Sequence, residues 1–133
     1  MYRSSPIIRW RRFRDRYLLE GNQCSECKEK FYPKKFVCSK CSSRKLNPLV
    51  LKGKGKLLSF TEIITPPDIF IEKAPYCIGI IKLEEGPSIT SQLSDCTLKD
   101  LKIGMQMEAS FKKFYESGKK GAIHYGTKFV PSF

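Results

Sequence analysis

From Leu57 onward, apolar and polar positions alternate in short runs, with a period of two. That is the pattern of half-buried strands. Leu57 to Ile64 is the first run. Tyr76 to Leu83 is apolar at odd and even positions alike and reads as a strand buried on both faces. Ile89, Ser91 and Leu93 then alternate with Ser88, Thr90, Gln92 and Ser94. Met105, Met107, Ala109 and Phe111 alternate with Gln106, Glu108, Ser110 and Lys112, and the pattern breaks at Phe114, where a bulge is expected. Ile123, Tyr125, Thr127 and Phe129 form the last run. Glu84-Glu-Gly-Pro87 and Lys119-Lys-Gly121 are turns, and Leu98, Leu101 and Ile103 ahead of Gly104 suggest a short turn or helix. Five strands without a long intervening helix make residues 57–133 mainly β. They predict a small Greek-key barrel of the OB type, with an SH3-like barrel as the structural alternative.

The first 20 residues carry a different period. Trp10, Phe13 and Tyr17 recur at helical spacing, Ser5 can cap such a helix and Pro6 suits its first turn. Arg9, Arg11, Arg12, Arg14 and Arg16 surround the aromatic stripe. Either the aromatics pack on the body and the arginines are solvated, or the arginines reach a partner's carboxylates or a ligand's phosphates. Gly21 and Asn22 end the element, although Arg16 to Glu20 could equally enter a strand. Residues 47–56 read as a connector. Their Gly53-Lys-Gly-Lys lacks the length and the Ser/Thr of a P-loop.

Between helix and connector, residues 21–46 hold Cys24-Ser-Glu-Cys27 and, ten residues later, Cys38-Ser-Lys-Cys41. Two intervening residues turn both thiolates of a pair to one point, and the spacer lets the second pair fold against the first. Four thiolates close a tetrahedral shell at about 2.3 Å from each sulfur, leaving no open position, so a bound zinc would be structural. The same spacing suits an iron centre of the rubredoxin kind, and two disulfides are the bland alternative. Phe31, Tyr32, Pro33, Phe36 and Val37 are expected to cover the metal, and Lys28, Lys30, Lys34, Lys35 and Lys40 to form a solvated face.

Charge sharpens this division. The net charge is +12 over 133 residues. Sixteen of the 25 Lys and Arg, but only four of the 13 Asp and Glu, lie in residues 1–60. The positive field therefore belongs to the N-terminal part and favours an anionic partner. No apolar run reaches the ~20 residues of a membrane span, and the first residues lack the apolar core of a secretory signal, so a cytoplasmic setting with reduced cysteines is expected. Ile69, Phe70 and Ile71 sit in the proline-rich connection 65–75, which is not expected to be regular. They either fold onto the barrel or offer a partner an apolar contact. Catalytic groups are sparse. His124, the lone histidine, falls on the polar side of the last strand and reads as a surface residue. Cys77 reads as core, and Cys96 has no base beside it.

Taken in order, these pieces resemble the archaeal and bacterial "domain of unknown function" proteins that pair an N-terminal helix and a rubredoxin-like zinc ribbon with an OB-fold and are associated with acyl-CoA enzymes. The matching stretches are Arg16-Tyr-Leu-Leu-Glu-Gly-Asn-Gln-Cys24, both CxxC pairs and Gly53-Lys-Gly-Lys-Leu57. They continue with Ala74-Pro-Tyr-Cys-Ile-Gly-Ile-Ile-Lys-Leu83, Ile103-Gly-Met-Gln-Met-Glu108 and Tyr125-Gly-Thr-Lys-Phe-Val-Pro131. The resemblance implies a non-enzymatic scaffold. Its partners would be acetoacetyl-CoA thiolase and hydroxymethylglutaryl-CoA synthase, early in the mevalonate route, with CoA close by. Two other readings stand beside it. One is a single-stranded nucleic-acid binder, which the charge suits but the neutral barrel region does not. The other is an enzyme acting on acyl-CoA, which no catalytic group supports.

Overall fold

The computed structural model describes residues 5–116 and 118–132. The chain divides into two units, one ending at Lys52 and the other beginning at Gly53.

The first unit opens with two short helices, α1 (Pro6–Arg11) and α2 (Phe13–Tyr17), where one was expected. The break is at Arg12, whose backbone (φ −104°, ψ 6°) leaves the helical region. Ser5 occupies the cap position, but its side chain makes no capping bond. The aromatic stripe does not pack as a unit: Trp10 is 73% exposed, whereas Phe13 and Tyr17 are half-buried.

Strands β1 (Glu20–Cys24), β2 (Lys30–Phe31) and β3 (Leu46–Val50) follow and form an antiparallel sheet in the order β2-β1-β3. This corrects two expectations. Gly21 and Asn22 do not end the helical element; they lie in the central strand. Residues 47–50 are not connector, because β3 pairs with β1 from Glu20↔Val50 to Cys24↔Leu46. Pro48 is accommodated because β3 is an edge, where a missing N–H costs no ladder bond. Gly21 is required here, since a Cβ would run into the Phe31 carbonyl of β2. The sheet buries Glu20 between Lys34 at 3.2 Å and Arg14 at 3.7 Å, so its charge is paired. Tyr32 donates its hydroxyl to the Asp15 carbonyl at 2.8 Å and ties α2 to the loop after β2.

The second unit contains β4 (Lys54–Ile63), a 3-10 helix (Asp68–Lys73), β5 (Tyr76–Leu83), β6 (Ser88–Leu93), β7 (Gln106–Glu116) and β8 (Ile123–Pro131). The strands close a barrel in the order β4-β5-β6-β8-β7, with β7 returning to β4 and β6 running parallel to β8. That is the Greek-key barrel of the OB-fold. Its first strand begins at Lys54, three residues before the expected start. Leu57, Ile81, Leu83, Leu93, Met107 and Phe129 fill the core. β5 is one-sided after all: Cys77, Gly79, Ile81 and Leu83 are buried, while Ile80 is 40% exposed.

The β7–β8 hairpin departs further from its pattern. Its register shifts between Lys113 and Tyr115, which places the bulge at Phe114 as the sequence indicated. The Phe114 ring packs where a side chain on Gly126 would stand. On β8 the covered positions change sides along the strand: Phe129 is buried on the expected face, whereas toward the hairpin tip the opposite face is covered. His124 and Lys128 are buried, and Ile123 and Tyr125 are exposed. His124 is therefore not a surface residue; it is 2% exposed and stacks on Tyr115 at 4.3 Å between ring centroids. Among the described residues no helix is long and apolar enough to cross a membrane.

Candidate metal centre and partner-facing residues

The two CxxC segments fold into matching knuckles. In the first, the Lys28 N–H donates to the Cys24 carbonyl at 3.1 Å, and the Cys24 N–H donates to the Glu29 carbonyl at 2.9 Å. In the second, the Ser42 N–H donates to the Cys38 carbonyl at 3.0 Å, and the Cys38 N–H donates to the Ser43 carbonyl at 2.9 Å. Each knuckle turns through a left-handed residue, Lys28 (φ 62°) or Ser42 (φ 60°). The Asn22 side chain, buried in β1, braces the loop leading to the second knuckle. Its amide donates to the Lys35 carbonyl at 2.6 Å, and its oxygen accepts the Lys35 N–H at 3.3 Å.

This arrangement brings all four sulfurs within 4.8 Å of one another. Cys24 lies 3.5 Å from Cys41, and Cys27 lies 3.4 Å from Cys38. Disulfides would need about 2.05 Å, and all four thiols are free. A tetrahedron with sulfur arms of about 2.3 Å has edges of about 3.8 Å. The cluster therefore has the size and donor set to hold a metal ion. Phe31 packs beside Cys24 and Cys38 as expected, with Cys27 and Leu46 at the edge of the same cluster. Phe36 does not cover the site: it is 95% exposed.

Electrostatics prepares the thiols unequally. The Cys24 thiol is lowered to about 6, first by the backbone N–H of Cys27. Cys38 is lowered in the same way by the N–H of Cys41. At Cys41 the Ser43 N–H favours the thiolate, but the shared bond with Cys24 and burial outweigh it and push the group up to about 12. Cys27 is also raised, the Glu29 N–H being outweighed by burial and by its contact with Cys38. A cation that takes all four as thiolates releases protons, and its affinity rises with pH.

The expected lysine face of the ribbon is largely engaged. Lys34 pairs with Glu20 and Asp15, Lys40 with Glu29 at 3.7 Å, and the Lys35 ammonium lies 4.6 Å from the centre of the Phe31 ring. Of the five arginines, Arg11 and Arg12 are exposed, Arg9 and Arg16 are half-buried, and Arg14 reaches Glu20. In the same segment Ile7 and Ile8 are exposed beside Trp10. The 65–75 connection divides: Phe70 meets Tyr76 and Tyr115 edge-on at 5.8 and 5.9 Å, whereas Ile69 and Ile71 are exposed on the 3-10 helix. Burial raises the thiols of Cys77 and Cys96, so neither is an activated nucleophile. Asn22, Glu20 and Lys128 were missed by sequence reasoning. An isolated polar residue carries no period that announces burial.

A relative from Methanocaldococcus jannaschii, a DUF35 domain-containing scaffold protein, is 40% identical over 133 residues, spanning 98% of this chain and 94% of its own. A protein of the same description from Methanothermobacter thermautotrophicus is 42% identical over 96% of this chain and 97% of its own. This chain belongs to the DUF35 domain-containing scaffold protein family. The family model for the C-terminal OB-fold domain of ChsH2 matches residues 50–112. A more distant match is subunit BbsA of the benzoylsuccinyl-CoA thiolase of Thauera aromatica, 34% identical over 56% of this chain and 51% of its own. The fold recurs in a chain of the Ltp2-ChsH2(DUF35) aldolase, with a TM-score of 0.68, 22% identity and coverage of 84% of this chain and 83% of that one.

Proposed function

We propose that the chain is a non-catalytic scaffold that holds acetoacetyl-CoA thiolase against hydroxymethylglutaryl-CoA synthase. The observation that carries this reading is the near full-length match to proteins described as scaffolds, with a thiolase subunit among the more distant relatives. The metal would be zinc held by Cys24, Cys27, Cys38 and Cys41. Four sulfurs complete its coordination, so its contribution is folding free energy and not Lewis acidity. Arg9, Arg11, Arg12, Arg14 and Arg16 would face acidic enzyme surface. Exposed Ile69 and Ile71, with Phe70 anchoring their helix to the barrel, would supply apolar contact. A cytoplasmic setting keeps the six thiols reduced.

The benefit is thermodynamic. Condensing two acetyl-CoA molecules is uphill, and a tethered second enzyme removes acetoacetyl-CoA at high effective concentration. Affinity capture from native extract, split with and without nuclease at ~0.15 M salt, tests the reading. Recovery of thiolase and synthase in both halves supports it. Recovery only of nucleoprotein partners that vanish with nuclease would replace it with single-stranded nucleic-acid binding.

A further inference from the structure

The barrel unit has a cleft of about 370 Å³ whose wall includes Tyr76, Gln92, Lys73 and Lys128. The volume lies in the range of small-molecule sites, about 300–1,000 Å³. Lys128 is the unusual member. It is a charged side chain only 9% exposed, projecting from β8 in the middle of the hairpin. Among the described residues no carboxylate pairs with it. Its ammonium lies 5.0 Å from the centre of the Phe114 ring, a contact that offsets only part of the cost of burying a charge.

The neighbours do not relieve that cost. Lys73 and Lys112 both add repulsion at Lys128. Lys112 is already committed to Asp95 at 3.0 Å. The Lys73 ammonium donates to a neutral group, the Lys113 carbonyl, at 3.0 Å. Two carboxylates line the cleft. Asp95 is the one taken by Lys112, and Glu62 stands on the β4 side near Cys77. The hydroxyls of Ser94 and Thr97 already donate to Asp95 and Asp100. What remains lining the space is the buried Lys128 side chain, the exposed Lys73 side chain, the Glu62 carboxylate on the β4 side, the Gln92 amide and the Tyr76 ring.

We propose that this cleft binds the phosphomonoester of a small organic molecule, its phosphate held by Lys128 and Lys73. Two ammonium groups match a dianion with three acceptor oxygens better than a singly charged carboxylate. The cleft has room for an organic body beside Tyr76. The site lies within the barrel unit, and its test is independent of the partner enzymes.

The test is calorimetric titration of the full-length, metal-loaded protein with ribose 5-phosphate, inorganic phosphate and acetate. Ribose 5-phosphate is expected to bind with sub-millimolar affinity and acetate not at all. Lys128→Met should weaken the phosphate ligand by roughly tenfold or more. It should also raise the Tm in phosphate-free buffer, because the methionine fills the same volume without a buried charge. Lys73→Ala, at an exposed position, should weaken binding while leaving the Tm unchanged. Binding of inorganic phosphate with equal affinity means that the free ion suffices and overturns the organic part of the assignment. No heat from either phosphate compound at millimolar concentration, or unchanged affinity in both variants, overturns the site.

Discussion

Lys28 and Ser42 hold left-handed backbone in the metal knuckles without being glycine. Such a conformation costs an L-residue about 1–2 kcal/mol, which glycine avoids at some cost in unfolded-state entropy. Ser42→Gly is therefore expected to stabilise the metal-loaded protein by about 0.5–1 kcal/mol, read from denaturant unfolding. A loss of stability would mean that the Ser42 side chain contributes more than its backbone strain. A second residue-scale effect concerns Asp100. Its carboxylate accepts the Thr97 N–H at 2.9 Å and the Thr97 hydroxyl at 2.8 Å, and these bonds hold its pKa below the ordinary carboxylate value. A group lowered in the folded state contributes stability that is complete above its unfolded pKa and is lost as pH falls through its folded one. The Tm difference between wild type and Asp100→Ala should thus be largest near neutrality and vanish in acid. A difference constant with pH would assign the effect to packing.

At the scale of elements, the ribbon is expected to depend on a metal held by its four cysteines, and the barrel on its own core. Replacing Cys24 and Cys27 with Ser should unfold residues of the ribbon and leave the OB barrel folded, since structural zinc supplies on the order of 10 kcal/mol to small metal domains. Amide exchange would separate the two; a ribbon still protected without metal would contradict this. Cobalt substitution, with elemental analysis, would distinguish zinc from iron at the same four sulfurs. Elements also show how far the sequence could be read. The cysteine spacing led to the cluster because four soft ligands at two-residue intervals have few other uses. The break in alternation at Phe114 led to the bulge. The face of β8 toward the hairpin tip was misread for one reason. Period two says which residues share a face, but not which face the fold covers. Toward the tip it is His124 that is covered, by Tyr115, and further along β8 Lys128 lies against Phe114. The break at Arg12 and the strand through Pro48 were hidden because local propensity gave way to pairing with β1 and to packing around Glu20.

For the whole molecule, the basic charge concentrated in the first unit and the exposed apolar residues of α1 are the features a scaffold would present. Arg11 and Arg12 have no carboxylate within ion-pair reach among the described residues. Replacing both with Ala should weaken partner association severalfold without changing the Tm, whereas Arg14, tied to Glu20, would confound the two effects. The central claim rests on assembly. The most direct measurement mixes purified thiolase, purified synthase and this chain, and determines the mass of what elutes by light scattering. A single species containing all three, absent when the chain is omitted, is the predicted result. Enzymes that elute separately with the chain present, or that associate equally well without it, would contradict the scaffold reading.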